Sequence, residues 1–370
     1  MKIAMIGHKL VPSRSGGIEV AVEALAVRMA ARGHDVTLYN RGKHPEFHNR
    51  IYNGVHIRTV PVIEKQGIAA VMGSFLATVQ ALFGGYDCIH FHAEGIAAMA
   101  CLPWLLRKRT IVTIHGLDWQ RAKWGRFASW YLKLGEKVAA RCADEIIVLS
   151  QAAKQYFLNT YGRETVYIPN GMPPAAIRDA DLITMKWGLQ KDGYFLYLGR
   201  IVPEKGLENL VRCFRQVKTD KKLVIAGGPQ DMPGYYAQLQ QLARGDKRII
   251  FTDFVQGRAL EELYSNCYVY CLPSLLEGLP ISLLEALSFG NCCLSSDIPE
   301  CTEVLGDRGF SFRNGSAGEL QSCLQMLCDH PEFVAHSRRK VRETFTHHTW
   351  DQVTDETLAL YHPAGKGSKR

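Results

Sequence analysis

The sequence predicts an α/β protein made of two doubly wound domains, each built on a parallel sheet. Three observations carry that prediction. The chain has 370 residues, more than one ordinary core needs and enough for two. Short, nearly continuous apolar runs alternate with helix-period segments from end to end, as in strands covered on both faces. A breaker cluster, Ile168-Pro169-Asn170-Gly171-Met172-Pro173-Pro174, separates one such alternation from the next.

Taken in order, runs at 2–6, 35–39, 54–60, 87–91, 110–114, 145–149 and 165–168 read as strands. Helical patterns stand at 17–32, 68–83, 95–106, 123–142 and 150–161. In the first of these, Ile18, Val22, Leu25 and Met29 fall at helical spacing, and Gly33 supplies the stop. The alternation restarts at Tyr194-Phe195-Leu196-Tyr197-Leu198-Gly199, with further strands near 222–226, 248–251, 267–272, 291–294 and 309–312. The expected domains are therefore 1–172 and 173–346. Both open as strand, glycine, basic loop and helix, so ligands are expected at the carboxyl ends of the strands, facing a cleft between the domains. The tail from Gly365 to Arg370 reads as disordered.

Composition narrows the class. With 47% apolar and 22% charged residues, the chain is neither disordered, collagen-like nor a multi-span membrane protein. Its longest apolar stretch, Ile68 to Phe83, is interrupted by Ser74 and Thr78 and falls short of the roughly 20 residues a span needs. The eleven cysteines form no C-x-x-C pair and read as free thiols of a cytoplasmic protein. No signal-peptide pattern is present at Met1 to Gly7. The net charge of +8 is unevenly placed: residues 1–180 hold 22 basic and 13 acidic side chains (+9), and residues 181–370 hold 22 and 23 (−1).

Four local patterns suit chemistry. In Ser274-Leu275-Leu276-Glu277-Gly278-Leu279-Pro280-Ile281-Ser282-Leu283-Leu284-Glu285, a strand runs into a loop and Pro280 opens a helix. Glu277 then precedes the helix and Glu285 lies about one and a half turns into it. The amides from Leu279 to Ser282 are expected to point into the cleft as a seat for phosphate, and the two carboxylates suit hydroxyl recognition. Read blandly, Glu277 is a solvated loop acid and Glu285 a helix-face ion-pair partner. Second, Gly199-Arg200-Ile201-Val202-Pro203-Glu204-Lys205 puts two cations after a strand, where they can neutralise a diphosphate or stand as a solvated basic loop. Third, Gly16-Gly17 leaves backbone amides open at a helix start. Fourth, His115 follows a strand at the expected cleft edge, a position more often structural than catalytic. Gly7-His8-Lys9-Leu10-Val11-Pro12 does not match G-x-G-x-x-G, which argues against a dinucleotide dehydrogenase. No metal site is expected. Asp179-Ala180-Asp181 lies in the linker, His347-His348 lack a third ligand, and His90-Phe91-His92 is taken to send its two rings to opposite faces of a strand.

Together, in order, the glycine pair, the histidine, the Arg…Lys loop and Glu-x7-Glu resemble the retaining GT-B glycosyltransferases of family 4, over essentially the whole chain. The resemblance implies two Rossmann-like domains and a nucleoside diphosphate sugar as co-substrate, with no cofactor and no metal. It also implies that the last helix, about 347–362 and including Trp350 to Tyr361, packs back onto the first domain. Carried over by position, Arg200 and Lys205 would bind the diphosphate and Glu285 the ribose hydroxyls. Glu277 and His115 would contact the sugar, Gly16 and Gly17 would border phosphate and acceptor, and Leu279, Pro280 and Ile281 would line the phosphate seat. The base would lie near Asp253, Phe254 and Val255. The core reads Glu-Gly-Leu-Pro-Ile where many members have Glu-Gly-Phe-Gly, which says nothing of the sugar.

The basic first half bears on the acceptor. Lys123, Arg126, Trp130, Lys133, Lys137 and Arg141 share one helical stripe, beside Trp124, Phe127, Tyr131, Leu134 and Val138. Arg107-Lys108-Arg109 adds a second basic cluster, and Asp118 lies close by in sequence. Such a face suits a glycan or polyprenyl-diphosphate-linked acceptor and an anionic membrane surface on the inner side of the plasma membrane. The plainer alternative buries the aromatic stripe as core and leaves the basic one solvated. A nucleotide-sugar epimerase or a phosphorylase of the same fold, and a nucleotide- or nucleic-acid-binding protein without activity, are the competing functions. No nucleic-acid-binding motif supports the last.

Overall fold

The computed structural model describes residues 1–13, 16–42, 49–63, 67–120, 125–230 and 232–362. Lys123, Trp124 and the tail at 365–370, all named above, lie outside the described residues. The chain divides into two compact units, Met1–Gly171 together with the segment from His348, and Met172–His347.

The first unit carries β1 (Lys2–Ile6), β2 (Asp35–Arg41), β3 (Arg50–Tyr52), β4 (Val55–Val60), β5 (Cys88–His92), β6 (Arg109–Ile114), β7 (Glu145–Val148) and β8 (Val166–Tyr167). They form one eight-stranded sheet in the order β3-β4-β2-β1-β5-β6-β7-β8. All neighbours are parallel except β3, which pairs antiparallel with β4. Its helices are α1 (Gly17–Ala31), α2 (Ile68–Phe83), α3 (Glu94–Ala97), α4 (Cys101–Leu105), α5 (Arg126–Cys142) and α6 (Gln151–Tyr161).

The second unit is a six-stranded parallel sheet of β9 (Tyr194–Leu198), β10 (Lys222–Ala226), β11 (Ile249–Phe251), β12 (Val269–Leu272), β13 (Cys293–Ser296) and β14 (Phe310–Phe312). Its order is β11-β10-β9-β12-β13-β14. Its helices are α7 (Leu182–Trp187), α8 (Leu207–Phe214), α9 (Pro233–Ala243), α10 (Arg258–Asn266), α11 (Ile281–Ser288), α12 (Pro299–Leu305), α13 (Ala317–Asp329) and α14 (Pro331–Thr344). The strands are apolar throughout because both faces are covered. Where tyrosines stand in them, their hydroxyls find carbonyls, Tyr194 to Leu263 at 2.8 Å and Tyr197 to Arg200 at 2.7 Å.

The last helix, α15 (Trp350–Tyr361), belongs to the first unit, where Trp350, Val353 and Tyr361 share a core with Ile3, Met5 and Val22. Thr349 and Gln352 form a capping box at its start. Arg32 pairs with Asp351 at 3.1 Å and with Asp355 at 3.0 Å. A Cβ on Gly171 would stand 2.5 Å from the Trp350 nitrogen, so only glycine permits this approach.

Two elements differ from the sequence expectation. Residues 50–52 form a hairpin strand with β4 through Asn53 and Gly54, whose φ values of 47° and 81° suit a two-residue type I′ turn. The helix expected over 95–106 is instead α3, a 3-10 turn at Ala98–Ala100, and α4. Pro103 has no N–H to donate, and restarting at Cys101 places it in a first turn, where none is needed.

In each sheet the order in which strands are added reverses once. Successive strands leave β1 toward β2 on one side and β5 on the other, and they leave β9 toward β10 and β12. At such switch points the loops diverge and open a crevice at the strand carboxyl ends. The residues of interest gather there.

Candidate active site

In the second unit, β9 ends at Leu198 and the chain turns at Gly199 toward Arg200. A Cβ on Gly227, at the end of β10, would stand 2.1 Å from the Gly199 carbonyl, so the two loops touch through backbone. Ile201 and Val202 are buried and anchor the loop. A 3-10 turn at Pro203–Lys205 closes on Gly206, whose φ of 66° and 2.1 Å clearance from the Pro273 carbonyl exclude any side chain. The Leu275 N–H donates to the Glu204 carbonyl at 2.8 Å and ties this loop to the one after β12.

That tie places Lys205 Nζ 2.5 Å from Glu277 Oε1, which also accepts the Ser274 hydroxyl at 2.6 Å. The pair is withdrawn from water, the Lys205 and Glu277 side chains being 13% and 8% exposed. Glu277 is therefore not a solvated loop acid. Burial raises the pKa of the Tyr197 hydroxyl, and Glu277 raises it further while Arg200 lowers it, which gathers both charges around one ring. Glu285 accepts the Tyr264 hydroxyl at 2.8 Å, and the Tyr270 hydroxyl lies 2.7 Å from Ser282 Oγ. These tyrosines are buried beneath α11 and hold its polar residues in place.

The expected phosphate seat is narrower than the sequence suggests. Pro280 is the N-cap of α11 and not its first residue, which puts Glu285 little more than one turn into the helix. Pro280 has no N–H, and the Ile281 N–H already donates to the Leu279 carbonyl at 2.9 Å. The φ and ψ of Pro280, −77° and 79°, are those of an inverse γ-turn, which makes that short bond. Beyond β11, Phe254 is exposed and Val255 half-buried. Asp253 is fixed beside them by the Tyr236 hydroxyl at 2.5 Å and by the Gly227 N–H at 3.0 Å.

In the first unit, α1 opens at Gly17 with Gly16 as its N-cap. The Glu19 carboxylate in the first turn accepts the Lys9 N–H at 3.0 Å, so an acid already sits beside the glycine pair. His115 follows β6, half-buried, with Nε2 3.2 Å from His92 Nδ1. The expectation that the His90 and His92 rings point to opposite faces is wrong: their centroids are 4.1 Å apart. Side chains repeat every second residue along a strand, so positions 90 and 92 share a face. Burial pushes His8 and His115 down to about 4 and His90 to about 3.

Asp118 begins a 3-10 turn after β6. Close by, Glu94 and Glu136 are both fully buried, and burial together with Glu136 pushes the Glu94 carboxyl far above the usual range. Glu136 accepts the hydroxyls of Tyr156 at 3.0 Å and Tyr161 at 2.7 Å. On α5, the buried face is Leu132, Gly135, Glu136 and Ala139. The aromatic stripe is not core at its start, where Phe127 is 78% exposed; Trp130 of the neighbouring basic stripe is 58% exposed, beside exposed Arg126 and Lys137. Lys133 Nζ instead lies over the Trp119 ring, 3.9 Å from its centroid.

Among the described residues, no group of three or more His, Cys, Asp or Glu is arranged to hold a metal ion. Asp181 of the D-x-D run pairs with Arg258 on α10. None of the helices searched among the described residues is long and apolar enough to cross a membrane. Tyr197, Tyr264 and Tyr270 carry no functional signal in the sequence, because tyrosines in apolar strands and helices read simply as core, and Ser274 opens the motif with no role until the fold brings its hydroxyl to Glu277.

Comparison with known proteins agrees with this fold. Residues 15–176 match the family described as Glycosyltransferase Family 4, and residues 192–330 match Glycosyl transferases group 1. An uncharacterized glycosyltransferase of Methanocaldococcus jannaschii is 25% identical over 98% of each chain. The phosphatidyl-myo-inositol mannosyltransferase of Mycolicibacterium smegmatis is 24% identical over 96% of this chain and 92% of its own. Among solved structures, Anabaena HepE in complex with UDP and glucose superposes with a TM-score of 0.77 at 19% identity, covering 97% of this chain and 99% of that one. The chain is a glycosyltransferase with two Rossmann-like domains of the GT-B type.

Proposed function

We propose that the enzyme transfers a sugar from a nucleoside diphosphate sugar, with retained anomeric configuration, to a glycan or polyprenyl-diphosphate-linked acceptor in bacterial surface polysaccharide biosynthesis. The observation that carries this reading is the withdrawn Lys205–Glu277 pair beside Arg200 at the second unit's switch point. Two cations at a strand end, Lys205 held by Glu277 and Arg200 close to the Tyr197 ring, meet the charge that builds on a departing diphosphate. Glu277 and Glu285 are acceptors held at set positions, suited to sugar and ribose hydroxyls respectively. Phe254 and Val255 offer an apolar edge for the base. A solved relative named above holds UDP and glucose, which supports a nucleotide-sugar donor, and relatives of the chain include a D-inositol 3-phosphate glycosyltransferase and a phosphatidyl-myo-inositol mannosyltransferase, which supports glycosyl transfer.

In this mechanism the acceptor hydroxyl attacks from the face the diphosphate leaves, and a leaving phosphate oxygen takes its proton. The positive charge comes from Arg200 and Lys205, so no metal cofactor is invoked. On the acceptor side, exposed Phe127 and Trp130 beside Arg126 and Lys137 support contact with anionic headgroups at the inner face of the plasma membrane.

A thermal-shift screen against UDP, GDP, dTDP and ADP sugars identifies the donor. NMR of the product then reads the anomer: inversion sinks the retaining mechanism. Conversion of the donor without acceptor would point to an epimerase. Flotation with anionic liposomes tests the membrane face, and equal binding after charge reversal at Arg126 and Lys137 would refute it.

A further inference from the structure

Four imidazoles meet at the first unit's switch point, and the hydrogen bonds around them determine where their protons sit. His8, His90 and His92 are fully buried. Burial holds all four rings, His115 included, below the usual histidine range. Each is therefore neutral near pH 7, with one N–H and one bare nitrogen.

His8 Nε2 faces Asn40 Oδ1 at 3.0 Å. The orientation of that amide is set independently, since Oδ1 accepts the Val11 N–H at 2.9 Å and Nδ2 donates to the Val11 carbonyl at 2.8 Å. His8 thus carries its proton on Nε2, and its unpartnered Nδ1 is a bare acceptor. His92 Nδ1 lies 3.2 Å from His115 Nε2, while His92 Nε2 has no partner. Were His115 the donor, His92 would carry its own proton on that unpartnered Nε2. A buried N–H without an acceptor is rarer and costlier than a bare acceptor. With His92 donating from Nδ1, neither unpartnered nitrogen bears a proton.

We propose that His92 is a positioning residue that fixes His115 as the Nδ1–H tautomer, so that His115 offers a hydroxyl of the donor sugar a hydrogen-bond donor and not a base. His92 is itself held in place. Its ring packs on His90 at 4.1 Å and 32°. His90 is clamped between the Tyr361 hydroxyl at 2.6 Å and Thr113 Oγ1 at 2.7 Å. The end of α15 therefore reaches His115 through two rings. The contact of His115 with the sugar rests on the function proposed above, whereas its tautomer does not.

Long-range proton–nitrogen NMR of histidine-labelled full-length protein reads the tautomer directly, with His115 assigned by the signals lost in His115→Asn. The expected result is Nδ1–H at His115 in the wild type and in His92→Asn, whose amide nitrogen stands where Nδ1 does. His92→Ala is expected to give mixed tautomers. Turnover, measured with the nucleotide sugar found by thermal shift, should fall about 10- to 100-fold in His92→Ala with KM little changed, and recover in His92→Asn. A His115 Nε2–H in the wild type, or an unchanged His115 tautomer in a folded His92→Ala, overturns the proposal. Mixed tautomers with unchanged turnover would leave the lock standing and overturn the sugar-contact reading of His115.

Discussion

At the second unit's switch point the working groups are charged and paired: Lys205 with Glu277, Arg200 beside the same tyrosine, and Glu285 held by Tyr264. At the first unit's, they are uncharged imidazoles whose protons are fixed by neighbours. The sequence around each has the opposite balance, +9 for residues 1–180 and −1 for 181–370. Net charge therefore describes the outer surface of a unit, while the crevice is governed by what burial permits. A withdrawn charge persists only with an opposite charge beside it, and a buried imidazole without one stays neutral.

The largest effects lie at the charged switch point. Lys205→Met should lower turnover about 100- to 1,000-fold. Because it strands the withdrawn Glu277 carboxylate, it should also cost about 3 kcal/mol of stability. Adding Glu277→Gln should restore most of that stability and none of the turnover. If the double variant is no more stable than Lys205→Met, the pair is not the constraint described.

The uncharged end has a pH signature. Below about pH 6.5 the unfolded chain protonates histidines that the folded first unit keeps neutral. Their contribution is full above that value and is lost as pH falls toward about 4, by up to about 1.4 kcal/mol per pH unit for each buried ring. Glu94, raised by burial, acts in the opposite sense, gaining as pH falls toward the ordinary carboxyl range, but it is one group against four. In the second unit, Asp246 is held low by Arg248 and loses its contribution only below about pH 4. Calorimetry between pH 7 and 5 should therefore show the first unit's transition moving down while the second's holds. Equal movement would contradict the contrast.

Smaller effects sharpen the same picture. Tyr361→Phe removes one buried hydrogen bond to His90 and should cost about 1–2 kcal/mol in chemical denaturation. Nucleotide affinity should be untouched. Phe127→Ser with Trp130→Ser, on the exposed face of α5, should change stability by no more than about 0.5 kcal/mol. A larger loss would return those rings to the core.

Much of this was legible in the sequence because strands covered on both faces must be apolar along their length. The runs at 2–6, 194–198 and 222–226 leave no other reading. The hairpin at 50–60 carried its own signal in Asn53-Gly54, hidden by how short β3 is. The break at 98–100 follows from Pro103, whose missing N–H says that a helix must restart but not where. At the site, residue type and loop position pointed to Arg200, Lys205, Glu277 and Glu285. Their pairing did not show, because it depends on the Leu275–Glu204 backbone tie between loops some seventy residues apart. The tyrosines that orient Ser282 and Glu285 read as core, and only three dimensions reveal where their hydroxyls end.

Everything proposed for the chemistry depends on the second unit's switch point taking the diphosphate of a nucleotide. Isothermal titration of UDP and GDP into the wild type and into Arg200→Ala/Lys205→Ala tests it without any acceptor. One nucleotide should bind the wild type, and the double variant should bind it at least about 100-fold more weakly while still folded. Equal affinity in the two proteins would contradict it.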